Sequence, residues 1–191
     1  MNKTISFAIL SAVSALPPLT ASAADSKLHF TGEVIASTCT VTAGANGTGS
    51  AGEIAVSLPS ISKDELAADG DRAGDKAFQV LIGGVGQSDC VGGATNKASI
   101  AFDTINSSLI DQSTGRLNNS SAAGNATNVQ VELVNPADGN AINVFTGTNI
   151  PATTLANGQG VLNLGARYVA NGSPVGEGKV DTDVAFSVVY F

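Results

Sequence analysis

The chain ends in VDTDVAFSVVYF, residues 180–191, in which apolar and polar residues alternate with the period of two typical of a half-buried β-strand. The face that this alternation assigns to the interior carries Val180, Thr182, Val184, Phe186, Val188 and Tyr190. The opposite face begins with Asp181 and Asp183. It becomes apolar at Val189 and Phe191, so we expect the last residues to be covered on both sides. A strand this apolar needs neighbours along both of its edges.

A second alternating segment lies near the start of the chain, at residues 28–36. Its apolar face carries Leu28, Phe30, Gly32, Val34 and Ala36. Its other face is polar except for Ile35, and a shift of one residue in its pairing would bury Lys27 and Glu33. Taken alone, the two terminal segments fit two arrangements. They are either ordinary strands of one closed sandwich, or a free strand and a final strand that needs a partner.

Short strands separated by turns are predicted between these two segments. The strands are expected at 39–43, 53–58, 76–82, 98–103, 127–135, 141–146 and 161–170. Asn-Gly and Asp-Gly dipeptides separate several of them and tolerate the positive φ of tight turns. A helical turn or two is expected at 62–68, where Ser62 and Glu65 have the spacing of a capping box. Eight or nine strands in one domain predict an all-β sandwich of immunoglobulin-like topology.

The N-terminus predicts export. Lys3 precedes an apolar run at residues 5–16, and Ala21-Ser22-Ala23 is a signal-peptidase cleavage pattern. The apolar run is about a dozen residues, shorter than the roughly 20 that span a bilayer as a helix. Residues 1–23 are therefore predicted to be a signal peptide.

Two cysteines, Cys39 and Cys90, lie in the exported part of the chain. An even number of cysteines in an oxidising compartment predicts a disulfide between them. The alternative, a metal site, has little support because the chain contains one histidine and no Cys-x-x-Cys pair. A disulfide that closes a loop of this length contributes roughly 4 kcal/mol on the chain-entropy estimate.

The composition argues against several classes of function. A formal charge of −7 with only 9 Lys and Arg is opposite to what a nucleic-acid groove requires. There is no phosphate-binding loop, no nucleophile elbow and no convergent set of catalytic groups. We therefore expect no enzyme, no catalytic or metal-binding residues and no cofactor.

The order of these segments resembles the type 1-like fimbrial subunits of chaperone–usher pili, the major-pilin family. Residues 27–41 are similar to the family's N-terminal extension, in which an alternating strand with a central glycine precedes the first cysteine. Residues 120–134 and 164–170 resemble two internal segments of the family. At the C-terminus, Gly178 and the penultimate Tyr190 occupy positions where the family keeps a glycine and a tyrosine.

The resemblance implies an incomplete immunoglobulin-like sandwich that lacks its last strand and is completed by a strand from another chain. It divides the sequence into a signal peptide (1–23), a donor-strand extension (24–37) and a pilin domain (38–191). The donor face is Leu28, Phe30, Gly32, Val34 and Ala36. The groove and chaperone-recognition strand contains Gly178, Val180, Val184, Phe186, Val188, Tyr190 and Phe191.

The partners that the resemblance implies are a periplasmic pilus chaperone, an outer-membrane usher and neighbouring copies of this chain or related pilins. No nucleic acid is expected. The location that it implies is the bacterial cell surface, reached through the periplasm, where the fimbria supports adhesion. The alternative within the same system is a minor adapter or a tip adhesin that binds a host glycan. An adhesin of this kind normally carries an extra lectin domain and lacks the donor extension.

Overall fold

The structure is a computed structural model, and it describes residues 39–49, 52–91 and 94–191. The predicted signal peptide and donor-strand extension lie outside these residues. The regular secondary structure of the described part is β-strand, apart from one short helix. Within it, no helix combines the length and apolar character needed to cross a bilayer.

Among the described residues, nine strands form two sheets, and every pairing between these strands is antiparallel. The larger sheet has the order β1-β2-β8-β5-β4, with β6 paired to β5. The smaller sheet has the order β7-β3-β9. The strands are β1 Val41–Ala43, β2 Arg72–Gly83, β3 Lys97–Phe102, β4 Leu117–Asn118, β5 Val129–Val134, β6 Ala141–Ile142, β7 Thr153–Thr154, β8 Gln159–Ala170 and β9 Phe186–Tyr190.

One main hydrophobic core packs the inward faces of the two sheets together. Its members follow the period of two, so that alternate residues of a strand are buried. Strand β2 contributes Phe78, Val80 and Ile82, and β8 contributes Leu162 and Leu164. The smaller sheet adds Ala98 and Ile100 from β3. The predicted all-β sandwich is confirmed.

Several predicted strand boundaries need correction. The segment 53–58 is not a strand, because Ala55 makes only an isolated bridge to Thr48. The predicted strand 180–191 is regular only at Phe186–Tyr190, because its partner β3 ends at Phe102. The predicted strand 141–146 is regular only at Ala141–Ile142, because Asn143 makes an isolated bridge to Thr148 and residues 144–147 form a turn. The two-residue strands β4 and β7 were not predicted.

The local signals at 62–68 are confirmed as a single turn of 3-10 helix, Lys63–Leu66. The Ser62 hydroxyl accepts a hydrogen bond from the Asp64 amide, and the Glu65 carboxylate accepts one from the Ser62 amide. Leu66 anchors this turn in a second, smaller core. The capping residues therefore fix the start of the helix, and one buried side chain attaches it to the domain.

Cys39 and Cys90 form the predicted disulfide, with their Cα atoms 4.9 Å apart. Cys90 lies in the loop after β2. The side chain of Gln87 strengthens the same connection, because its oxygen accepts from the Thr40 amide at 3.1 Å. The disulfide therefore connects Cys39, the first described residue of the domain, to the loop between β2 and β3.

The outer face of the larger sheet holds a buried carboxylate that three arginines surround. The side chain of Glu132, on β5, is 2% exposed. It accepts hydrogen bonds from the Nε atoms of Arg72 at 3.0 Å, Arg116 at 3.0 Å and Arg167 at 2.8 Å. Arg72 belongs to β2, Arg167 belongs to β8, and Arg116 directly precedes β4. The Glu132 side chain therefore connects β5 to three other parts of the same sheet.

We expect the stability of the domain to fall in acid as Glu132 is protonated. Burial raises the pKa of this carboxyl, but hydrogen bonds from Arg72, Arg167 and Arg116 outweigh burial and hold the pKa below its ordinary 4.5. A depressed folded-state pKa gives stability that is complete above the unfolded pKa and is lost as the pH falls towards the folded one.

The unfolding midpoint of the mature chain should therefore be nearly constant down to about pH 5 and decline below about pH 4. Thermal unfolding between pH 7 and pH 2.5 measures this decline. The Glu132→Gln variant should show a smaller decline than the parent chain over the same range. An equal decline in both proteins would mean that other carboxylates cause it.

Candidate functional site

A long groove of about 1020 Å³ opens between two segments of the sandwich. One wall is the segment 52–58, and the other runs along residues 180–188. Its floor consists of core side chains from both sheets. Most of the residues that line this groove are apolar.

The floor of the groove exists because strands of both sheets turn alternate residues towards it. The larger sheet contributes Val80 from β2, Val131 from β5 and Leu164 from β8. The smaller sheet contributes Ile100 and Phe102 from β3. These residues all pack in or against the main core, so the groove is an open side of the core itself.

The C-terminal wall contains the residues that the alternation of 180–191 assigned to the interior. Val180, Val184, Phe186 and Val188 line the groove and pack against the core, where they are half-buried. Among the described residues, β9 has one strand partner, β3. The groove therefore borders the edge of β9 that has no strand partner in the described part of the chain.

The opposite wall was not predicted as part of the site. Ile54, Val56 and Leu58 alternate with exposed residues and pack against the core. Their sequence signal is the same period of two that led to the strand prediction for 53–58. This segment has the side-chain pattern of a strand, but within the described residues it lacks the continuous backbone pairing of one.

The remaining C-terminal site residues have different environments. Tyr190 is half-buried and packs against the main core. Phe191 is 46% exposed and Val189 is 38% exposed, so the expectation that the end of the chain is covered on both sides is wrong for the described structure. The carbonyl of Phe191 instead accepts backbone hydrogen bonds from Thr95 and Lys97.

Gly178 holds the start of the C-terminal segment against a neighbouring loop. Its φ is 154°, and a Cβ atom there would lie 2.4 Å from the amide nitrogen of Ala126. Only glycine fits so close a backbone approach. The donor-face residues Leu28, Phe30, Gly32, Val34 and Ala36 lie outside the described residues.

The polar groups at the groove do not form a chemical centre. Glu53, Asp181 and Asp183 border it and give its rim a negative charge. No cluster of three or more His, Cys, Asp or Glu side chains that could hold a metal ion occurs in the part of the chain that the structure describes. What the geometry offers is an apolar channel beside a strand edge, which suits an extended peptide.

Comparison with known proteins identifies relatives of similar length. The chain is 30% identical over 182 residues to the major fimbrial subunit SMF-1 of Stenotrophomonas maltophilia strain K279a, covering 92% of this chain and 98% of the relative. It is 31% identical over 193 residues to the type-1 fimbrial protein A chain of Escherichia coli strain K12, with 98% of each chain covered.

A solved structure of a chaperone–usher pilus contains a chain of the same fold. The TM-score is 0.57 at 19% identity, and the match covers 92% of this chain and all of that chain. A model of the family described as "Fimbrial protein" matches residues 28–190, a range that contains the alternating segment 28–36 and all but the last residue of the segment 180–191. With the sandwich fold and two full-length relatives at 30% identity or more, this match shows that the chain belongs to the fimbrial protein family as a chaperone–usher fimbrial subunit.

Proposed function

We propose that the chain polymerises by donor-strand exchange, in which the extension 24–37 of one copy occupies the groove of another. The observation that carries this proposal is the apolar groove beside the edge of β9 that has no strand partner in the described structure. An extended segment in that position forms main-chain hydrogen bonds with β9 while alternate side chains enter the groove. This is the β-augmentation mode, for which pilin donor-strand complementation is a named example.

The chemistry of the extension matches that of the groove. Leu28, Phe30 and Val34 would each gain roughly 1.5–3 kcal/mol from burial on the groove floor. Gly32 adds no side chain, which suits a shallow point of the floor or a close backbone approach. The odd-numbered face of the extension, including Thr31, stays towards solvent or a fibre neighbour.

The same groove needs a temporary occupant before polymerisation. An empty groove would expose Val184, Phe186 and Val188 together with a strand edge, a combination that promotes aggregation. We therefore propose that a periplasmic chaperone covers the groove with its own strand, and that an outer-membrane usher exchanges this strand for the extension of the next subunit. The fimbria that results lies on the cell surface and supports adhesion, and the chain's part in it is structural, not enzymatic.

Electron microscopy of the cell surface, with and without this subunit, tests whether it forms the shaft of the fibre. Loss of whole fibres is the expected result, with antibody labelling along their full length when the subunit is present. Shortened fibres or fibres without tips would instead assign the chain to the alternative, a minor adapter or a tip adhesin that binds a host glycan. Unchanged fibres would contradict the proposal.

A further inference from the structure

Ile105 is a large apolar side chain that a rigid turn holds in solvent next to the groove. It is 91% exposed. The carboxylate of Asp103 fixes the turn by accepting from the amides of Ile105 at 3.0 Å and Asn106 at 3.1 Å. The amide of Asp103 in turn donates to the carbonyl of Ala185 in the groove wall. Ile105 is therefore displayed at a fixed position at one end of the groove.

Val85 is a second displayed side chain, and it borders a shallow depression. It is fully exposed, and the depression beside it measures about 580 Å³ and includes Ala156 and Val161. The loop that carries it is held by the hydrogen bond from the Gly84 amide to the Gly158 carbonyl and by the Cys39–Cys90 disulfide. The depression therefore adjoins the point where the N-terminal extension joins the domain.

The two features lie at opposite ends of the smaller sheet. Ile105 follows Phe102, the last residue of β3. The depression adjoins the first residue of β3, Lys97, because its lining residue Thr154 is the strand partner of Lys97. Six residues of β3 separate the ends, which is about 17 Å of strand. Within one copy, Ile105 and Val85 are therefore too far apart to touch.

The linker between the donor-strand extension and its own domain is too short to hold that domain away from the copy that receives the extension. Only Ser37 and Thr38 separate Ala36, the last residue of the proposed donor face, from Cys39. Three residue steps span at most about 11 Å. Whichever end of the groove receives Ala36 must therefore contact the domain that carries the extension.

The direction of insertion decides which end that is. All strand pairs in the described structure are antiparallel, and antiparallel pairs are the commoner kind in sheets generally. An extension antiparallel to β9 places Ala36 beside the start of the C-terminal wall, near residues 180–185. That is the end at which Ala185 and Asp103 hold Ile105.

From this geometry we propose that Ile105 of one copy packs into the depression beside Val85 of the next copy in the fibre. In this contact, a side chain of one copy fits a depression on another copy of the same chain. The contact is additional to the donor-strand contact, and it rests on the proposed donor-strand function. The two apolar side chains, Ile105 and Val85, are carried by loops that hydrogen bonds hold in place, so little conformational entropy is lost when the loops meet. The contact would orient successive domains along the fibre.

Cysteine crosslinking in assembled fibres tests the contact. A chain with Ile105→Cys and Val85→Cys should give a ladder of covalent oligomers on a non-reducing denaturing gel, and reduction should remove it. Each single variant should give none, and neither should Ile105→Cys combined with Thr146→Cys, an exposed control position in the 143–148 turn. All these positions are exposed, so the variants are expected to fold.

The outcomes separate this contact from the proposed function. Fibres that form without a ladder in the double variant would overturn the contact and leave donor-strand exchange intact. A disulfide-linked dimer of the Val85→Cys single variant would mean that the Val85 ends of two copies meet. That result would overturn the antiparallel insertion of the extension beside β9, and the proposed contact with it. Failure of the unsubstituted chain to enter any fibre would instead refute the proposed function, and the contact with it.

A second pair of variants tests the same contact without cysteines. Val85→Asp with Ile105→Lys should dissociate from fibres roughly two- to fivefold more slowly than Val85→Asp with Ile105→Asp, because an exposed ion pair replaces a like-charge pair. The dissociation rate is measured from the release of monomers in denaturant. Equal dissociation rates for the two double variants would contradict the contact.

Discussion

Replacing Phe30 by aspartate is expected to abolish incorporation of the subunit as a donor while its own domain still folds. Under the proposed donor-strand exchange, the substitution would place a carboxylate in an apolar groove. The cost of removing that charge from water, several kcal/mol, would exceed what Phe30 contributes by burial. The variant should accumulate as a chaperone-bound monomer, because in the proposed pathway the groove of each copy is filled by the chaperone and not by that copy's own extension. Native gels and size-exclusion chromatography of periplasmic extracts measure the accumulation.

The adjacent residue supplies the matched control. Thr31→Asp adds the same charge on the opposite face of the extension and should assemble nearly as well as the parent chain. Gly32→Leu should also block assembly, but by obstructing the groove and not by charge. Equal assembly of Phe30→Asp and Thr31→Asp would mean that residues 28–36 are not the donor strand.

Replacing Glu132 by glutamine should cause a large loss of stability for a conservative change. Glutamine keeps the shape of the side chain but leaves the guanidinium groups of Arg72, Arg116 and Arg167 without their shared negative charge. Breaking a buried ion pair from one side costs about 3–5 kcal/mol. We expect about 3 kcal/mol here, the lower limit, because the arginines retain some contact with water.

Urea unfolding of the mature chain measures this effect, and Glu177→Gln is the matched control. Glu177 pairs with Lys63 at 2.8 Å, but both side chains are exposed, so its loss should change the unfolding midpoint little. With an m-value of about 2 kcal/mol/M, the Glu132 variant should unfold at a urea concentration lower by about 1.5 M. A similar midpoint for the two variants would show that the buried cluster contributes no more than a surface ion pair.

The sequence by itself determined the features that depend on residues close together in the chain. The capping box at Ser62 and Glu65 is complete within four residues, and the structure has it. The alternation of 180–191 assigned Val184 and Phe186 to the inner face because side-chain direction in a strand depends only on position. The disulfide followed from a count of two cysteines in an exported chain.

The tertiary structure decided what depends on which segments meet. The alternation at 53–58 correctly indicated the inner face of this segment. A strand also requires a backbone partner, and within the described structure the segment makes only one isolated bridge, from Ala55 to Thr48. The regular part of 180–191 begins only at Phe186 because β3, which is 84 positions away, ends at Phe102. Glu132 and the three arginines that surround it are likewise dispersed from position 72 to position 167. Only folding brings them together, because side-chain contacts across a sheet depend on strand order and register, which no local pattern specifies.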